Sequence, residues 1–160
     1  MHQKFEFEYD TFNDISDLTI SDQVLLAAAR KATLNAYAPY SHFLVGAAAK
    51  LSDDQIIIGA NQESASFPVG VCAERALLNS VGSQFPHLTI ISMAISYQPM
   101  GKDSKIPISP CGMCRQSLLD FEHRYGAPIS IILSGMEGQV MVIKSASNLL
   151  PFGFDGTALK

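Results

Sequence analysis

Basic residues are scarce in this chain of 160 residues: 11 lysines and arginines stand against 15 aspartates and glutamates, for a net charge of −4. A protein that grips polynucleotide or anionic lipid by neutralising phosphates needs the opposite balance, so neither partner class is expected. Also missing is any apolar run near the roughly 20 residues that a membrane helix requires. The opening residues, Met1-His2-Gln3-Lys4-Phe5-Glu6, have no apolar stretch ahead of their acids, so no secretory signal and a cytoplasmic location are expected. The eight prolines and eleven glycines follow no period, which removes collagen-like and low-complexity chains. Charged residues make up only 16% while hydrophobic ones reach 48%, the composition of one globular unit able to bury a core. Cysteine is sparse and odd in number, three in all, so a disulfide framework is not expected and metal or catalytic use becomes the hypothesis to test.

What is present has a clear order. Phe5, Phe7 and Tyr9 alternate with Glu6, Glu8 and Asp10, the period-two signature of a half-buried edge strand. Thr19 or Ser21 can cap an Ala- and Leu-rich helix running from Asp22 to about Ala36, which must stop before Pro39. His42 to Leu51 and Gln55 to Ala60 read as a hairpin around Ser52-Asp53-Asp54, and Cys72 to about Val81 as a short helix. The apolar run from Thr89 to Tyr97 suits a strand covered on both faces. Cys111 to Tyr125 is a helix closed by Gly126, followed by strands at Ile129 to Leu133 and Gln139 to Ile143. Together these predict a three-layer α/β/α domain with a mixed five-stranded sheet, extended at its N-terminus by an added edge strand. Residues 1–20 are expected to be that extension and 21–160 the main domain. The stretch from Gln98 to Pro110 has no structure of its own, and a loop of that length is more often functional than decorative.

All three cysteines fall at helix starts. Cys111 and Cys114 share one face of a first turn, where free N–H groups and the helix dipole favour the thiolate that a metal ligand must be. Cys72 opens the other helix, followed at once by Ala73, Glu74 and Arg75. Three thiolates leave one position of a tetrahedral zinc for water or substrate, as catalytic zinc sites do. Glu74 can then take the water's proton, and Arg75 can draw off part of the excess negative charge of three thiolates. Other uses remain open on spacing alone. The Cys-x-x-Cys could be a redox pair, or His42, His87 or His123 could close a structural Cys3His site. What favours catalysis is the joint pattern of Cys-Ala-Glu on one helix start and Pro-Cys-x-x-Cys on the next, the description of zinc nucleobase deaminases.

Three ordered blocks carry a closer resemblance: Ala38-Pro39-Tyr40-Ser41-His42-Phe43-Leu44-Val45-Gly46-Ala47-Ala48, then Gly59 through Arg75, and Pro110-Cys111-Gly112-Met113-Cys114-Arg115-Gln116. With a weaker match at Leu149-Leu150-Pro151-Phe152-Gly153-Phe154, they are similar to the cytidine deaminases in their short, homotetrameric form. The resemblance implies a cytidine deaminase-like fold and hydrolytic deamination of cytidine and deoxycytidine in pyrimidine salvage. It further implies one zinc per subunit on Cys72, Cys111 and Cys114, with Glu74 as proton carrier to ring N3 and to the leaving ammonia. Asn61 and Glu63 match sugar-hydroxyl binders, Phe43 an aromatic against the pyrimidine, and Phe154 one supplied by a neighbouring subunit. The Ala73 N–H matches a donor to the ring carbonyl or the attacking oxygen, and Arg75 a residue supporting the sulfurs. Ser64 stands where this family usually has Asn, and Phe67 where Tyr is common. Two alternatives accompany this reading. One is a deaminase of another cytosine-bearing small molecule, such as a nucleoside antibiotic or an N4-modified cytidine. The other is a non-catalytic, zinc-stabilised module.

Overall fold

The computed structural model describes residues 1–159, Ala158 by its backbone alone. Nine regular elements follow in order: β1 (Tyr9–Phe12), α1 (Ile20–Ala32), β2 (Phe43–Leu51), β3 (Ile56–Ala60), α2 (Ala73–Gln84), β4 (Ile90–Pro99), α3 (Gly112–Tyr125), β5 (Ser130–Ser134) and β6 (Val140–Ile143). The strands form one six-stranded sheet in the order β1-β6-β5-β4-β2-β3. Only β4 and β5 pair in parallel; every other neighbouring pair is antiparallel, so the sheet is mixed. The sixth strand is the expected N-terminal addition, and it lies at the sheet edge.

Side-chain alternation along the strands builds two cores. Ala47 and Ala49, Met93 and Ile95, and Ile131 and Leu133 face α2 and α3, where Leu77, Leu78, Val81 and Leu118 are buried. Ala48, Ala94 and Ile132, the residues between them, face α1 through Leu25, Leu26 and Ala29. The result is three layers, with α1 on one face and α2 and α3 on the other. Gly46 sets how close α1 lies: a Cβ there would stand 2.2 Å from the Ala29 carbonyl oxygen.

Local chemistry explains the boundaries. Thr19 caps α1, its hydroxyl oxygen accepting from the Asp22 N–H at 3.2 Å. The helix tightens into a 3-10 turn over Thr33–Asn35 before Pro39 is reached. Gly126 ends α3 in the left-handed conformation, φ 65°. The N-terminal strand differs from expectation. It covers Tyr9–Phe12 rather than the Phe5–Tyr9 alternation, because its partner β6 ends at Ile143, opposite Tyr9. Phe5, Phe7 and Tyr9 stay about half exposed, at 52%, 42% and 51%, with successive rings 6.3 Å apart.

Candidate active site and metal centre

Gly59 near the end of β3 lets α2 press directly on the sheet. A Cβ at this position would lie 2.5 Å from the Ala73 carbonyl oxygen and 2.7 Å from the Leu77 nitrogen. After β3 the chain makes an excursion and is pinned on its return, where Gln62 and Val71 exchange N–H···O bonds of 2.9 Å. Cys72 follows at once as the N-cap of α2, and Cys111 is the N-cap of α3. An oxygen-bearing side chain is usual at such ends, yet neither thiol makes a capping bond. Two helix N-termini, with their uncapped N–H groups and positive dipole ends, therefore meet at the cysteines.

The three sulfurs lie within 4.8 Å of one another, Cys72 3.7 Å from Cys111 and Cys111 3.4 Å from Cys114. A tetrahedral zinc with Zn–S bonds of about 2.3 Å sets its sulfurs about 3.8 Å apart, so the donor set fits that ion in kind and in spacing. All three cysteines are free thiols. Among the described residues no histidine joins the cluster, which leaves a closed Cys3His site without its fourth ligand. The thiol of Cys72 is brought down to about 6, chiefly because Cys114 donates to it, with Cys111 and the positive charge of Arg75 adding to the effect against the cost of burial. Cys114 is pushed up in turn, first as the donor to Cys72 and then by burial. Cys72 therefore gives up its proton readily and Cys114 only against a cation's charge.

Glu74, in the first turn of α2, is only 4% exposed. Burial raises its pKa above the usual carboxylate value, and the neighbouring charge of Cys72 raises it further. A cavity of about 400 Å³ opens onto Cys72, Glu74 and Cys111, and its wall includes Ala73, Phe43, Asn61 and Glu63. That volume falls within the range typical of small-molecule sites. Asn61 is latched to β2: its side-chain oxygen accepts from the Val45 N–H at 2.8 Å and its amide donates to the Phe43 carbonyl at 2.9 Å. Glu63 accepts from the N–H groups of Tyr40 at 2.9 Å and Ser41 at 3.2 Å, all through Oε2. The Ser41 side chain first, and then these two N–H groups, hold its carboxyl below the usual range against the cost of burial. Both side chains thus fix the entry to β2, and Glu63 Oε1 has no bond among the described residues.

Two expected residues stand apart. Phe154 is 61% exposed and outside this cavity's wall, its carbonyl accepting from the Gln116 side chain at 2.7 Å. Arg75 makes no hydrogen bond to the sulfurs among the described residues and acts on Cys72 through its charge. Other residues contribute without having been assigned a role from the sequence. Arg115, beside Cys114, donates to the carbonyls of Pro110 at 2.8 Å and Leu149 at 3.2 Å, fixing the turn into α3. Val45 and Ile95 come from strand faces, Ile108 and Ser109 from the long loop, and Met113 from the first turn of α3. For Ile108 and Ser109 the loop's length was the one signal, while Val45, Met113 and Arg115 lie in the matching blocks without a role assigned to them.

Comparison with known proteins agrees with this arrangement. Residues 19–125 match the family profile described as the cytidine and deoxycytidylate deaminase zinc-binding region. A cytidine deaminase of Halalkalibacterium halodurans is 36% identical over 132 residues, covering 82% of this chain and 92% of that protein. One from Sporosarcina psychrophila is 32% identical over 134 residues, covering 81% and 88%. Among solved structures, a cytidine deaminase from Burkholderia pseudomallei superposes with a TM-score of 0.70 at 36% identity, covering 86% of this chain and all of that one. The cytidine deaminase of Mycobacterium tuberculosis gives 0.64 at 27% identity, over 85% and 98%. Sequence, fold and the cysteine cluster agree, and the chain belongs to the cytidine and deoxycytidylate deaminase family.

Proposed function

We propose that this chain is a zinc-dependent deaminase that hydrolyses cytidine and deoxycytidine to uridine and deoxyuridine, releasing ammonia, in pyrimidine salvage. The observation that carries this reading is a buried carboxylate, Glu74, opening with a zinc-spaced thiol cluster onto one cavity of about 400 Å³. Cys72, Cys111 and Cys114 would hold one zinc. Bound there, zinc supplies the Lewis acidity that lets water lose a proton near neutral pH.

The remaining work belongs to side chains and backbone. Glu74 takes a proton from the attacking water and places it on ring N3. It then takes the remaining proton of the added oxygen and passes it to the departing amine, so that the C4–N4 bond breaks, ammonia leaves and a C4 carbonyl remains. A carboxyl whose burial raises its hold on a proton suits both acceptance and return. Phe43 gives the pyrimidine a flat wall, and the Ala73 N–H at the start of α2 donates to the ring carbonyl. Asn61 and Glu63 use their remaining hydrogen-bonding capacity on the sugar hydroxyls. Arg75 offsets part of the thiolate charge.

Phe154 completes the site of a neighbouring subunit in a homotetramer, a role supported by its exposure and its place outside its own cavity. Residues 1–20 are an addition to a catalytic unit at 21–160; the family match beginning at residue 19 supports that division. A cytoplasmic location fits a protein in which no helix among the described residues is long and apolar enough to cross a membrane.

An ultraviolet assay across a panel of cytosine nucleosides, with zinc quantified in the same sample, tests the proposal. Turnover of cytidine and deoxycytidine with about one zinc per chain supports it. Turnover confined to modified cytosines moves the assignment to another substrate, and a zinc-loaded protein that deaminates nothing refutes it.

A further inference from the structure

The long loop between β4 and α3 is tied down at successive points before it reaches the cavity. The hydroxyl of buried Ser104 accepts from the Met136 N–H at 3.0 Å, and the Lys105 carbonyl accepts from the Gln139 N–H at 3.0 Å. Gly135 makes room for this crossing, since a Cβ there would collide with the Ser104 carbonyl oxygen. The last tether is Tyr97, whose hydroxyl donates to the Ile106 carbonyl at 2.8 Å. Just beyond it, Ile108, Ser109 and Cys111 enter the cavity wall.

The ring of Tyr97 has a second contact. It stacks on Phe43, with centroids 5.3 Å apart and planes 16° from parallel. Phe43 lines the cavity, whereas Tyr97 is 8% exposed and is not part of the lining. The contact is diagonal across the β2–β4 pair, in which Tyr97 lies opposite Val45. One buried side chain thus backs the aromatic wall on one side of the cavity and fixes the loop that forms another. Buried tyrosines combine these two uses, an apolar body for packing and a hydroxyl for a fixed partner.

We infer that Tyr97 is a positioning residue for substrate binding: its ring sets the plane of Phe43, and its hydroxyl sets the part of the wall formed by Ile108 and Ser109. The inference rests on the deamination proposed above for the meaning of its kinetics, but its structural half stands independently. Tyr97→Phe keeps the stack and removes the tether; Tyr97→Leu removes both. With the zinc-loaded variants and cytidine as substrate, Tyr97→Phe raises KM about fivefold, the effect of one neutral hydrogen bond, and leaves kcat nearly unchanged. Tyr97→Leu raises KM about a further fivefold through loss of the aromatic pair.

Hydrogen exchange measured by mass spectrometry supplies the second readout. The amides of Met136 and Gln139, which donate to Ser104 and Lys105 of the same loop, exchange about tenfold faster in Tyr97→Phe while those of β4 do not, which reports release of the loop without loss of fold. Unchanged exchange at Met136 and Gln139 overturns the tether. KM values equal to wild type in both variants, or equal losses of kcat and zinc in both, overturn the positioning role. If the unaltered protein fails to deaminate cytidine, the proposed function fails, and the exchange measurement still decides the tether.

Discussion

Replacing Gly59 with alanine tests whether the fold delivers the candidate site through one close contact. The added Cβ would lie 2.5 Å from the Ala73 carbonyl oxygen, 2.7 Å from the Leu77 nitrogen and 2.8 Å from the Leu77 Cβ. Two of these are backbone atoms of α2, so no side-chain rotation relieves them. Restoring an ordinary contact of 3.4 Å moves the start of α2 away from β3 by about 0.9 Å. Overpacking of this kind costs about 1–3 kcal/mol. At roughly 2–4 °C per kcal/mol for a chain of this size, the melting temperature falls by about 2–12 °C. Cys72 and Glu74 flank Ala73 and move with it, and a shift near 1 Å in a reacting group lowers kcat by up to about 100-fold. The assay is a thermal melt paired with cytidine turnover in saturating zinc. Gly112→Ala is the control: its Cβ meets nothing within 4 Å, so it leaves stability level or raises it by about 0.5–1 kcal/mol. A Gly59→Ala protein that melts and turns over like the unaltered one would refute the claim that this contact sets the site.

Three further outcomes follow from the same structure. Glu122, only 6% exposed, accepts from the N–H groups of Ile129 and Ala146 at 2.7 Å and Ser147 at 2.9 Å, and from the Ser145 hydroxyl; Glu122→Ala strands these donors and lowers urea stability by about 3–5 kcal/mol. Cys114→Ser loses zinc by elemental analysis together with activity, and a chelator does the same to the unaltered protein; full turnover without metal contradicts the proposed centre. The Glu63 carboxyl lies below its ordinary pKa of 4.5 when folded, so its contribution to stability is complete above pH 4.5 and is lost as pH falls through the folded value. The stability gap between wild type and Glu63→Gln accordingly narrows under acid below pH 4.5, and a gap that widens there contradicts the Tyr40–Ser41 latch.

Much of the metal centre was legible because it is local. Cys111 and Cys114 share one helical turn, and Cys72 and Glu74 another, so spacing alone puts each pair on its helix start. The layers were legible too, since alternation along β2, β4 and β5 assigns each residue to one sheet face. Features that depend on distant partners were not. Glu122 reads as a solvated helix residue until the chain at 129 and 145–147 folds over it. Tyr97 reads as the end of a core strand, because both its diagonal stack and its loop tether are non-local. The alternation of Phe5, Phe7 and Tyr9 predicts sidedness, but β6 is too short to pair with the whole segment.

Glu74→Gln tests the central claim most directly. The amide keeps the shape of the buried side chain but cannot take a proton from water and return it. Zinc content and melting temperature should stay at wild-type levels while kcat for cytidine falls about 10²–10⁴-fold, the range of a general acid–base group. A zinc-loaded Glu74→Gln protein that deaminates cytidine within about twofold of the wild-type rate would contradict the account.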